Sequence, residues 1–262
     1  MLKTRALTAV VLLAGFGAAL FFLPQSGWIA FCAVLLAIAA WEWGALAALG
    51  PRARAAYAAL LVVLFVWSGG YAPGWAYAAA GLFWIFLAPL WIWRSPRSAS
   101  WALLAVGILV LLPACAALVD LRGVHPALLL AVLGTVWISD SAAYLVGRRF
   151  GKRKLAPSIS PGKTWEGVGG ALLAVGLYAL AWAGIGAPQN PWVDGTRSAA
   201  GLLAVLIGLA VVGIIGDLFE SLIKRQAGVK DSGTLLPGHG GILDRIDAPV
   251  AMLPLAVLAF MR

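Results

Sequence analysis

Apolar residues run along this chain in long blocks, broken by proline, glycine or a few charges. A helix needs about 20 apolar residues to cross the hydrocarbon of a bilayer. Nine blocks approach that length: 6–23, 27–49, 55–72, 74–93, 99–119, 123–147, 165–187, 198–223 and 246–261. Pro24, Gly50-Pro51, Pro73-Gly74 and Ser95-Pro96 punctuate the first five. Trp28, Trp75, Trp91, Trp93 and Trp101 stand near block ends, where indole rings favour the interface. The pattern predicts an all-α, polytopic integral membrane helix bundle of about nine transmembrane helices. Lys3 and Arg5 precede the first block as in a signal peptide, but no clear small-residue cleavage site follows, so it reads as a retained span. The expected organisation is an N-terminal region of five spans (1–120) and a C-terminal catalytic region (121–262) with cytoplasmic loops at 148–164 and 224–245.

Composition agrees with this picture. Hydrophobic residues make up 63% and charged residues 11%, against about 25% charged in a soluble domain, and mean hydropathy is +0.96. The excess of 19 Lys+Arg over 10 Asp+Glu does not point to nucleic acid. On a membrane protein it is first a topology signal and second a handle on anionic lipid. With the N-terminus cytoplasmic, 16 cations fall inside and three (Arg122, Arg197 and Arg262) outside, which also places the C-terminus outside. Cys32 and Cys115 lie within apolar runs and read as small buried hydrophobes, with no disulfide framework or metal pair.

On that map the unusual acids converge. Asp140, Asp217, Glu220, Asp244 and Asp247 all fall at the cytoplasmic ends of spans six, eight and nine. Charges there are costly and usually face a polar interior with a partner. Asp217, Glu220, Ser221 and Lys224 share one helical face, and Asp244 and Asp247 are spaced i, i+3 at the start of the next helix. Two such carboxylate pairs together make an oxygen-rich cluster of the kind Mg²⁺ prefers. The plainer alternative is that Asp217 and Glu220 neutralise Lys224 and Arg225.

Asp140 and Tyr144 share a face with Arg148 one turn on, as substrate contacts or as an intrahelical ion pair. The loop 147–165 carries six cations, suited to anionic lipid or nucleotide, or simply to setting topology. Ser160-Pro161 reads as the start of span seven, with Ser as cap, Pro in the first turn and Lys163 beside an anion-binding helix end. Gly-Lys-Thr alone, without a preceding strand, is not a P-loop. His239 lies in a Gly-His-Gly-Gly turn whose backbone can approach a phosphate closely. His125, on the outer side, reads as incidental. Glu42 reads either as a supporting partner of the acids or as a partner of Arg52 or Arg54.

The segment SLIKRQAGVKDSGTLLPGHGGILDRID, residues 221–247, resembles the signature of phosphatidate cytidylyltransferases, also called CDP-diacylglycerol synthases. The likeness is carried by Ser221, Lys224, Arg225, Lys230, Asp231, Gly233, Leu236, Pro237, His239, Gly240, Gly241, Ile242, Asp244, Arg245 and Asp247. Asp140 to Tyr144, Gly147 to Lys152, Ser160 to Gly167 and Gly216 to Ser221 also resemble family motifs. The likeness is specific over about 137–247; the first five spans share only their apolar character.

The resemblance implies transfer of a cytidylyl group from CTP to phosphatidic acid in phospholipid biosynthesis, at an Mg²⁺-dependent centre with K⁺ as a candidate second cation. It also implies a bacterial inner-membrane enzyme with its site facing the cytoplasm; a homodimer is a candidate assembly. On this reading Asp217, Ser221, Lys224, Arg225, Asp244 and Asp247 are catalytic, and Asp217, Glu220, Asp244 and Asp247 are the metal ligands. Asp140, Tyr144, Arg148, Ser160, Lys163, Lys230, Asp231, His239, Gly240, Gly241 and Arg245 contact substrate. Two rivals stand beside this reading. One is a transporter, whose acids would sit near the midplane and whose chain often shows inverted repeats; here the acids fall at one face and no repeat is evident. The other is a transferase acting on a different lipid, such as a polyprenol kinase.

Overall fold

The computed structural model describes residues 2–184, 198–235 and 240–261. Each predicted span has a helical counterpart: α1 (Leu2–Phe22), α2 (Gln25–Leu46), α3 (Pro51–Trp67), α4 (Gly74–Leu82) running through a π-helical turn (Phe83–Leu87) into α5 (Ala88–Arg94), α6 (Ser100–Val124), α7 (Pro126–Phe150), α8 (Trp165–Gly184), α9 (Ala199–Gln226) and α10 (Leu243–Phe260). Among the described residues six helical stretches are long and apolar enough to cross a membrane: α2, the α4–α5 stretch, α6, α7, α8 and α9. The apolar part of α1 described here is Leu13–Phe22, α3 has 17 residues, and α10 carries Asp244, Arg245 and Asp247 within its 18.

Among the described residues the fold departs from all-α in the basic loop. The basic loop contains an antiparallel pair of strands, β1 (Lys154–Ala156) and β2 (Ser160–Thr164). Ser160 and Pro161 therefore do not start a helix. Thr164 caps α8 instead, its Oγ1 accepting from Gly167 N at 3.1 Å. The sequence signal was real but four residues early, because strand pairing claims Ser160–Thr164 first. Other caps are local. Ser198 Oγ accepts from Gly201 N at 3.1 Å at the start of α9. His125, read as having no functional role, serves as a local cap: its Nδ1 accepts from Ala127 N at 3.1 Å ahead of Pro126, at the start of α7.

The last helix is the central post. α10 packs against α9, α6, α4, α7 and α2, and Ala248 to Leu253 are buried in sequence. Small residues let α9 come close: a Cβ on Gly216 would stand 2.7 Å from Asp247 O and 2.6 Å from Ala251 Cβ. Behind α9, Phe219 is enclosed edge-on by Phe83, Trp84 and Trp91, with ring centroids 5.4, 5.6 and 5.8 Å away. This clamp fixes the rotation of α9, and so the direction of its neighbours Glu220 and Ser221.

α2 and α3 are pinned to α6 by side-chain donors. Trp43 Nε1 donates to Leu103 O at 2.7 Å, and Tyr57 Oη donates to Leu104 O at 3.0 Å. Both groups press on Gly107, where an added Cβ would collide with Tyr57 Oη and Trp43 Nε1. Gly107→Ala is expected to destabilise the bundle by about 1–3 kcal/mol through overpacking, read as a lower Tm in detergent; an unchanged Tm would mean that this contact yields.

Candidate active site

Four carboxylates and two lysines meet at one end of the α9–α10 pair. Lys224 Nζ lies 2.6 Å from Asp244 Oδ1 and 3.5 Å from Glu220 Oε2. Lys163, arriving on β2, places Nζ 2.5 Å from Asp217 Oδ2. The simple pairing of Asp217 with Lys224 or Arg225 is therefore not what forms. Asp217 takes a cation from a loop over fifty residues upstream, and Lys224 bridges α9 to α10. Arg225 Nε instead donates to Ile159 O at 3.3 Å, tying the strand turn to the end of α9. Ser221 Oγ donates to Asp217 Oδ1 at 3.3 Å.

The second oxygen of Asp244 is held by backbone. Its Oδ2 accepts from Ser232 N at 2.9 Å and Gly241 N at 2.8 Å. Gly240 makes that turn at φ +80, where a side chain would be strained, and its Cβ would stand 2.6 Å from Asp244 Oδ2. Asp247 Oδ1 accepts from Ala248 N at 2.8 Å, and its carboxyl lies in the field of Asp217 and Glu220. Asp140, on α7, is within electrostatic reach of Asp217 and Lys163. It lines a narrow crevice with Ser139, Gly213 and Ala248, among other residues.

Other predicted site residues lie on α7, on β2, on α10 and in the loop after α9. Tyr144 is exposed and accepts from Arg148 Nη1 at 3.1 Å. Ser160 lies on β2, and Lys230, Asp231 and Arg245 are exposed. His239, with Leu236 and Pro237 of the signature, lies outside the described residues. The basic loop has its own brace: Glu166 accepts from the backbone N of Lys152 (3.0 Å) and of Arg153 (3.2 Å).

Glu42 is the residue whose role the sequence left open. It is 4% exposed and forms no described salt bridge with Arg52 or Arg54; Arg54 Nε donates to Leu49 O. Its Oε2 accepts from Ser232 Oγ (3.0 Å) and Leu243 N (2.8 Å), and its Oε1 from Ile242 N (3.0 Å). An intramembrane Glu in an otherwise apolar helix was the available signal, but its partners lie about 200 residues away in sequence.

Chemically, the centre presents hard carboxylate oxygens with two lysines for four acids. The Glu220 carboxylate is buried, with Lys224 Nζ 3.5 Å from its Oε2 and the Asp247 carboxyl beside it. An oxygen-rich donor set of this kind suits a hard divalent cation, although among the described residues no three acids, histidines or cysteines are drawn together as a ready-made metal nest.

Fold and site together define a polytopic helical membrane protein with a carboxylate–lysine centre at one end of its bundle. The chain belongs to the cytidylyltransferase family, whose profile matches residues 3–261. Among its relatives, a phosphatidate cytidylyltransferase of Haemophilus influenzae is 47% identical over 127 residues, covering 48% of this chain and 43% of the relative. One of Pseudomonas aeruginosa is 45% identical over 152 residues (56% and 53%). One of Staphylococcus epidermidis is 48% identical over 120 residues (46% and 44%). The chain spans about half the length of the curated relatives it matches.

Proposed function

We propose that this chain transfers the cytidylyl group of CTP to phosphatidic acid, releasing pyrophosphate and giving CDP-diacylglycerol, with CTP arriving from the cytoplasm. The observation that carries the reading is the pairing of Lys163 with Asp217 and of Lys224 with Asp244 at one end of an apolar bundle, in a chain of the cytidylyltransferase family.

Both reactants are polyanions, so their repulsion must be cancelled before an oxygen of the lipid phosphate can attack the α-phosphorus of CTP. Nucleotidyl transfer of this kind rests on positioning and charge neutralisation. No general base is required, because the nucleophile is already an oxyanion. Lys163 and Lys224 supply positive charge on either side of the α9–α10 junction. Arg245 and Lys230 add charge at its rim, and Ser221 offers a hydroxyl to a phosphate oxygen. Asp217 and Asp244, with Glu220 and Asp247, would hold Mg²⁺, which would neutralise phosphate charge and stabilise the departing pyrophosphate; K⁺ is a candidate for a second cation. The lipid's acyl chains stay in the bilayer while its headgroup reaches the centre.

Purified protein should release pyrophosphate from CTP when phosphatidic acid is present and not when it is omitted. Release that ignores phosphatidic acid, or that requires another lipid, would overturn the acceptor assignment. The proposal also carries a topology: nine crossings, N-terminus cytoplasmic, C-terminus outside, from the 16 inside cations against three. Reporter fusions should place the two ends on opposite sides. Both on one side would remove a crossing, α10 being the first to question.

A further inference from the structure

We propose that Glu42, on α2, is a positioning residue of the active centre: its carboxylate holds the Ser232 hydroxyl and the first amides of α10, and through them the carboxylate of Asp244. The inference rests on the function proposed above and extends it to a helix that carries no part of the signature. Glu42 bonds the two sides of one loop, Ser232 on the way out of α9 and Ile242-Leu243 on the way into α10. The same loop gives Asp244 its two backbone donors, Ser232 N and Gly241 N. Every one of these donors is adjacent to, or the same residue as, a partner of Glu42. Room for the arrangement is provided by glycine. A Cβ on Gly233 or Gly241 would run into the Glu42 carboxylate. The amides of Ile242 and Leu243 are orphan donors of a helix N-terminus, so an anion is the partner they favour. Glutamine cannot replace it: both oxygens of Glu42 accept, so one end of an amide would present a donor to a donor.

The test uses the full chain in mixed micelles of detergent and phosphatidic acid, with CTP and Mg²⁺. Glu42→Gln should lower kcat per folded molecule by about 10–100-fold, the usual cost of losing an outer support of a charged centre, with the KM for CTP little changed. Amide exchange should quicken around Ser232 and across 241–243, while α6 exchanges as in the wild type. A merely structural glutamate would reduce the folded fraction and leave turnover per folded molecule unchanged, which overturns the proposal. So does unaltered exchange at Ser232 and 241–243. If the wild type itself fails to use CTP with phosphatidic acid, the functional reading falls, and the exchange measurement alone decides whether Glu42 holds the loop.

Discussion

Asp244→Asn should reduce turnover by at least about 10²–10³-fold, the scale on which a pre-organised electrostatic contact acts at a reacting centre. Asp244 serves two groups at once, Lys224 Nζ through Oδ1 and the amides of Ser232 and Gly241 through Oδ2. An asparagine that keeps its carbonyl oxygen on the two amides must turn its NH₂ toward the Lys224 ammonium, donor against donor. Flipping the amide transfers the conflict to the backbone. The Lys224–Asp244 side chains are only 11% and 5% exposed, so breaking the pair leaves a buried charge and costs about 3–5 kcal/mol. A lower Tm is therefore expected for this variant, and activity must be referred to folded protein. Asp217→Asn separates the two effects. Its side chain is 29% exposed and accepts no described backbone amide, so folding should survive while turnover is lost on a similar scale. Near-normal turnover of either variant at saturating Mg²⁺ would remove that residue from the set proposed to hold the metal.

Much of this arrangement was legible in the chain because hydropathy and helical spacing are local properties. The blocks located the helices, and the i, i+3, i+4, i+7 spacing put Asp217, Glu220, Ser221 and Lys224 on one face. What spacing does not determine is which partner each charge finds. Lys224 lies within reach of Glu220 on its own helix, yet its shortest contact is Asp244 on the next. Asp217 is satisfied by Lys163 from a strand, and the strand itself was missed. Ser-Pro is a good helix start on local grounds, and only pairing with Lys154–Ala156 makes it part of a strand. Glu42 marks the same boundary. Its burial cost was visible, but the loop that offsets it is closed by tertiary packing alone. Likewise the last block, short and charged at its start, gave no sign that it would form the post around which α2, α4, α6, α7 and α9 pack.

Lys163 and the rest of the basic loop should separate kinetically. Lys163 reaches the centre: its Nζ is 2.5 Å from Asp217 Oδ2, and its side chain is 24% exposed. Arg153 and Lys154 are exposed, at the start of β1. A charge in water acts through a Debye length of about 8 Å at physiological salt, so these two can raise the local concentration of CTP but cannot follow charge as it moves between phosphates. At this partly buried ion pair screening is weaker, and on the proposed mechanism Lys163 would meet phosphate charge there. Lys163→Ala should therefore lower kcat as well as raise KM, with a combined loss in kcat/KM of about 10²-fold or more. Removing it also leaves Asp217 facing Asp140 and Asp247 without its cation, which adds to the repulsion that an incoming polyanion meets. Neutralising Arg153 and Lys154 together should raise KM for CTP and leave kcat alone, and added salt should reproduce that effect on the wild type while adding little to the double variant. Measured side by side over a salt series, the two variants give different slopes on this account. If Lys163→Ala instead changes only KM and loses its effect at high salt, Lys163 belongs with the loop surface, and Asp217 is left to act with a cation other than this lysine.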